Sequence, residues 1–259
     1  MIDPGNIGFA LLLTSFAGLS TGIGSAIAYL IKNPKMIYLS FGLGLSAGVM
    51  IYVSFVELLP HALTEIGQTM GVIVFFLGIA FIGFIDMIIP EKENPHAFQG
   101  FTEESRSKIN KKLMRTGLFT ALAIAIHNFP EGLATFGTAL SDIRLGGMIA
   151  IAIAIHNIPE GISVSIPIYY ATGDKKKAFI YSFLSGIAEP VGAIIGFLIL
   201  YSFMTEGFLC ALLAFVAGIM VYISLDELLP VAHLYGQSHT VILGVISGML
   251  IMAFSLLLL

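Results

Sequence analysis

Cysteine and charge are what this sequence has least of. With Cys210 as the only cysteine in 259 residues, no intramolecular disulfide and no cysteine-based metal cluster can form. Charged residues make up 11% of the chain and the net charge is -4. The few Lys and Arg sit in short connecting segments, so there is no basic face for nucleic acid. The opening "MIDPGNIGFA" has no positive charge before its apolar run; a cleaved signal peptide is not expected, and the first hydrophobic stretch is expected to stay as a helix. With 57% hydrophobic residues and a mean hydropathy of +0.96, the chain is far too apolar for a soluble globule of this length. The composition is that of a polytopic membrane protein surrounded by a lipid bilayer.

A membrane-spanning helix needs about 20 mostly apolar residues. Eight stretches qualify, near 6–31, 36–63, 69–89, 116–139, 146–170, 178–203, 207–233 and 238–258, which predicts a single all-α polytopic domain over 1–259. Only the connection 90–115 is long, and its mixed charge reads as a solvated loop with at most one surface helix. Every Lys and Arg except Arg144 falls in the first, third or fifth connection. By the positive-inside rule those connections, including 90–115, are cytoplasmic, and both termini lie outside a cell (inner) membrane.

The chain repeats itself. "AGVMIYVSFVELLP" at 47–60 matches "AGIMVYISLDELLP" at 217–230, and "AGLSTGIG" at 17–24 shares a glycine pattern with "SGIAEPVG" at 185–192. Each pair is separated by an odd number of spans, so the copies cross in opposite directions. The pattern predicts an inverted repeat of helices 1–3 and 6–8 around central helices 4 and 5, with a shared site near the midplane. Those central helices carry the sharpest repeat, "AIAIHNFPEG" at 123–132 and "AIAIHNIPEG" at 152–161.

His127, Asn128, Glu131, His156, Asn157, Glu160 and Glu189 would all lie at similar depth. A charged side chain there costs on the order of 3 kcal/mol, and no Lys or Arg sits within these helices to offset it. His and Glu are four apart in both copies, so each pair projects from one helix face. Pro130, Pro159 and Pro190 free the carbonyls of Ile126, Ile155 and Gly186. Imidazole, carboxylate and amide oxygen together suit divalent first-row metals. A lone buried His is usually a satisfied interior residue, but two His–Glu pairs on adjacent helices make a metal the better counter-charge. Glu57, His61, Asp226, Glu227 and His233, near the ends of helices 2 and 7, are candidates for an access or exit path or simply face solvent. Asp86 reads as interfacial. Met50 and Met220 read first as core fillers, and the glycines as close-packing positions.

"HNFPEG", "HNIPEG" and "AEP" at 188–190, in the fourth, fifth and sixth of eight helices, resemble the ZIP (Zrt/Irt-like) family of divalent metal transporters, in its compact bacterial branch, across essentially the whole chain. The resemblance implies import of metal into the cytoplasm through a central site able to hold two ions. His127 with Glu131 and Glu160 would form one position; Asn128 and Glu189 would belong to the second, the two motif glutamates bridging. His156 and Asn157 fall where family members vary, which leaves selectivity open among Zn²⁺, Fe²⁺, Mn²⁺, Co²⁺ and Cd²⁺, all as cargo, with no catalytic cofactor. A second-helix methionine of some relatives corresponds to Met50. The third connection has only His96, so histidine-rich metal sensing is not implied. A homodimer is compatible with this reading. The rival is an intramembrane metal-dependent hydrolase, but the zincin pattern H-E-x-x-H has Glu where this chain has Asn, and di-iron enzymes use Glu-x-x-His. An ion channel is a third class, which multidentate carboxylates disfavour.

Overall fold

A computed structural model describes residues 4–30, 36–88, 106–200 and 205–258. The connection at 90–105, with Lys92 and His96, lies outside them. Every regular element among the described residues is helical. After one 3₁₀ turn at Pro4–Asn6 come α1 (Ile7–Leu30), α2 (Met36–Val53), α3 (Leu59–Ile66), α4 (Gln68–Ile88), α5 (Arg106–Ser141), α6 (Ile143–Thr172), α7 (Lys175–Leu200), α8 (Glu206–Ile223), α9 (Leu229–Tyr235) and α10 (Ser238–Leu258). Seven spans are long and apolar enough to cross a membrane: α1, α2 with α3, α4, α6, α7, α8 with α9, and α10. Helix α5 is not among the seven, its apolar stretch being interrupted by His127, Asn128, Pro130 and Glu131. It begins at Arg106 rather than near 116, because the helix continues through polar positions that an apolar pattern does not mark.

Helices α2 and α3 are joined without a break by one π-helical turn, Ser54–Leu58, and α8 and α9 by another, Ser224–Leu228. Each falls in the repeated "S-x-x-E-L-L-P". Pro60 and Pro230 have no N–H and would crowd the carbonyls of Val56 and Asp226 in a regular helix. Widening the turn relieves this, and the N–H of Leu59 and of Leu229 reaches back five residues to Ser54 O and Ser224 O. Elsewhere the junctions are short. Asp142 alone links α5 to α6; its side chain accepts from the N–H groups of Arg144 and Leu145 at 2.8 and 3.1 Å, capping α6. Gly173, at φ 70°, closes the other end of α6 in a left-handed conformation.

The bundle is ordered from a polar centre to an apolar rim. Helix α6 is the most enclosed, 78% of its best span being buried against 22% for α4 and 28% for α10. Helix α6 packs on α1, α5, α2 and α7; α5 on α7 and α8; α10 on α2; and α4 on α8. Phe76, Leu77, Phe84 and Met87 of α4 and Leu243, Phe254 and Leu257 of α10 point outward. This reverses the layout of a water-soluble protein and suits solvation by lipid.

Small residues allow the central contacts. A Cβ on Gly132 would strike Glu189 O, and one on Gly161 would strike Thr21 O. Helix backbone therefore lies directly on backbone where α5 meets α7 and α6 meets α1. Gly161→Ala should lower stability by about 1–3 kcal/mol through overpacking. Gly147→Ala, where a Cβ would meet nothing within 4 Å, should be neutral or stabilising by up to about 1 kcal/mol. Thermal unfolding of the two detergent-solubilised variants, monitored by size-exclusion profile, measures the contrast.

Candidate metal centre

The repeated segments on α5 and α6 meet at the middle of the bundle. His127, Asn128, His156, Asn157, Glu160 and, from α7, Glu189 are completely buried, and Glu131 is nearly so. The His–Glu spacing predicts that each pair shares a helix face, but the contacts formed run between helices. His127 Nε2 lies 3.1 Å from Glu160 Oε1, and His156 Nε2 lies 3.1 Å from Glu131 Oε1. The first contact is aligned as a hydrogen bond and the second is not. His127 Nδ1 faces Ala123 O at 3.2 Å. That contact orients the ring and leaves Nε2 aimed at the cluster, as an outer-shell carbonyl does for a ligating imidazole.

The amides are fixed in matching ways. Asn128 Nδ2 donates to Ser185 O at 3.3 Å, and Asn157 Nδ2 donates to Ala17 O at 2.9 Å and to Glu189 Oε1. With their N–H groups tied to backbone, both amides turn their oxygens the other way. Among the described residues, Asn128 Oδ1, Asn157 Oδ1, both Glu131 oxygens, Glu160 Oε2 and Glu189 Oε2 have no hydrogen-bond partner. An uncompensated buried carboxylate is costly, and no Lys or Arg occurs between Arg115 and Arg144, between Arg144 and Lys175, or from Ala178 to Leu200. Beyond the two imidazoles, these stretches offer no positive charge, and a bound cation would supply it.

A divalent ion fits the donor set. Two donors on one tetrahedral zinc stand about 3.3 Å apart, each about 2.0–2.1 Å from the metal. The His127–Glu160 and His156–Glu131 separations are already close to that. Among the described residues no three His, Cys, Asp or Glu side chains yet converge on one point; the imidazoles and carboxylates are engaged pairwise, and an ion would take the place of a shared proton.

The other sequence candidates lie apart from this cluster. Met50 and Met220 are buried in the hydrophobic core of α2 and α8, with Ser46 Oγ 4.0 Å from the Met50 sulfur. Glu57 lies in the first π turn and His61 on α3, both partly exposed; Asp226 and Glu227 lie in the second π turn; exposed His233 uses Nδ1 on Leu229 O at 2.8 Å. Glu227 also lines a small cleft of about 20 Å³ between α4, α5 and α8, together with Asp86, Tyr222, Ala123 and Ile126. Tyr222 Oη donates to Asp86 Oδ2 at 3.3 Å. The cleft is lined by Ala123, whose carbonyl faces His127, and by Ile126 beside it. Asp86 and Tyr222 lie 136 positions apart, and no local pattern joins them.

Fold and cluster together define a multi-pass helical membrane protein that encloses imidazole, carboxylate and amide groups among its central helices. Residues 88–256 match the family model described as ZIP Zinc transporter, and the chain belongs to that family. It is 55% identical to the zinc transporter ZupT of Clostridium perfringens, over 98% of this chain and 96% of that protein. It is 58% identical to the ZupT of Streptococcus mutans (96% and 97% covered) and 57% identical to that of Oceanobacillus iheyensis (98% and 99%).

Glu131→Gln and Glu160→Gln each keep the shape of the side chain and remove its charge. Each should weaken zinc binding to the purified protein at least tenfold, read by isothermal titration calorimetry. Wild-type affinity in both variants would remove these carboxylates from the ligand set.

Proposed function

We propose that the chain carries divalent transition-metal cations, zinc foremost and also iron, manganese, cobalt or cadmium, across a cell (inner) membrane into the cytoplasm. It is a transporter and not an enzyme. The observation that carries this reading is the buried set of carboxylate and amide oxygens that lack partners beside two imidazoles, with no cationic side chain to neutralise them. The sequence relatives named zinc transporter ZupT support zinc as the cargo. A hydrolase would need a base next to the first histidine, where Asn128 and Asn157 stand.

In this reading one ion is held by His127, Glu131, Glu160 and His156, and a second by Asn128, Asn157 and Glu189, with the two motif glutamates bridging. Three carboxylates against two divalent ions leave a small positive excess, which favours release over permanent binding. The domain is a single unit of eight spans, α5 being the additional one, with both termini outside. Helices 1–3 and 6–8 form an inverted repeat around the α5–α6 pair. Contacts that exchange in pairs support the repeat: α1 packs on α6 as α7 packs on α5, and α10 on α2 as α4 on α8. Both copies also carry a π turn at the same place. The outward apolar faces of α4 and α10 leave room for a homodimer within the bilayer.

Uptake into liposomes loaded with a metal-sensitive dye tests the transport. Wild type should give saturable Zn²⁺ flux, and Glu160→Ala should lose it by at least tenfold; equal flux in the two would reject a central site. The Asp86–Glu227 cleft should serve the cytoplasmic side. Glu227→Ala should then lower maximal flux several-fold while changing equilibrium zinc binding by less than twofold, and a change in binding alone would remove the cleft from the path.

A further inference from the structure

The central contacts are matched residue by residue. Aligning 17–24 with 185–192 sets Ala17 against Ser185, Gly18 against Gly186 and Thr21 against Glu189. The structure follows the same register. Asn157 Nδ2 donates to Ala17 O, and Asn128 Nδ2 donates to Ser185 O. A Cβ on Gly132 would meet Glu189 O, and one on Gly161 would meet Thr21 O. A Cβ on Gly18 would stand 3.2 Å from Glu189 Cβ, and one on Gly186 would stand 2.8 Å from Thr21 Cβ and Oγ1. Thr21 therefore occupies, on α1, the place that Glu189 occupies on α7.

Its hydroxyl is unlike its neighbours. Thr14, Ser20 and Ser25 of α1 donate to carbonyls of their own helix, Ala10 O at 3.0 Å, Ala17 O at 2.6 Å and Thr21 O at 3.0 Å. Thr21 is fully buried, and its Oγ1 has no partner among the described residues. The carbonyl one turn back that it would ordinarily use, Ala17 O, already accepts from Ser20 Oγ and Asn157 Nδ2. Asn128 Oδ1 is unpartnered as well. A buried hydroxyl oxygen and a buried amide oxygen are therefore both left to a ligand.

We propose that Thr21 is a further cation-binding residue of the centre, the neutral counterpart of Glu189, acting with Asn128. This rests on the metal-transport reading above. Around the second ion it sets an uncharged half, Asn128 with Thr21, beside the charged half, Asn157 with Glu189. Neutral oxygens hold a divalent ion more weakly than a carboxylate does. The uncharged half thus sets how loosely a second ion sits.

Zinc stoichiometry and isotherms on the purified full-length protein, with liposome flux in parallel, test this. Thr21→Val keeps the shape and removes the hydroxyl; it should weaken the lower-affinity zinc step at least fivefold, with the higher-affinity step unchanged within twofold. Glu189→Thr should lose one zinc equivalent, and adding Thr21→Glu to it should restore that equivalent, since Gly186 faces the Thr21 Cβ as Gly18 faces that of Glu189. Wild type that neither binds nor moves zinc would overturn the transport reading itself. Wild type that does both, with a Thr21→Val isotherm like its own or a double variant that stays one zinc short, would reduce Thr21 to a packing residue. If Thr21→Val does not fold, the double variant decides alone.

Discussion

Three carboxylates withdrawn from water with no cationic side chain in reach are the constraint on which the rest of this molecule depends. An isolated buried carboxylate costs several kcal/mol even after the surroundings relax, so Glu131, Glu160 and Glu189 can stay ionised only if something compensates them. The imidazoles of His127 and His156 do part of this from the opposite helix. The asparagine N–H groups are turned onto backbone carbonyls and leave their oxygens for a cation. Close helix contact at the central glycines shuts out bulk water, and the outward Phe, Leu and Met of α4 and α10 complete a molecule that is polar inside and oily outside.

That layout makes much of the fold legible in the sequence. Apolar length predicts helices, and a polar motif repeated in apolar sequence marks a place where burial must be offset. The seven residues so marked are all buried where α5, α6 and α7 meet, with the His–Glu contacts formed pairwise. The cross-pairing was not legible, because i, i+4 spacing states only that two side chains share a face and says nothing of which face the neighbouring helix presents. The Tyr222–Asp86 hydrogen bond was not legible for a related reason: only the fold brings the two residues together. The start of α5 was misplaced because hydropathy sees the lipid-facing part of a helix and not its polar extension. The π turns were hidden in plain similarity; "SFVELLP" and "SLDELLP" look alike, but the widening arises from a proline ring meeting a carbonyl one turn earlier.

In the proposed inverted repeat, similar backbone contacts carry unlike chemistry. Matching glycines keep the same approach distances in both copies, while the side chains at equivalent places differ: Ala17 for Ser185, Val56 for Asp226, Phe55 for Leu225. Similar scaffolding with dissimilar lining is what a protein needs if its two sides must treat the same ion differently, receiving it on one and surrendering it on the other.

Asp142 sets a mechanical limit. With one residue between α5 and α6, and that residue's carboxylate bonded to the first turn of α6, the two helices cannot slide along each other without tearing the cap. They form a stiff fork whose prongs carry facing His and Glu side chains in fixed step. Any opening toward one side of the membrane must then be made by the helices around the fork, and the ion travels past a tool that keeps its shape.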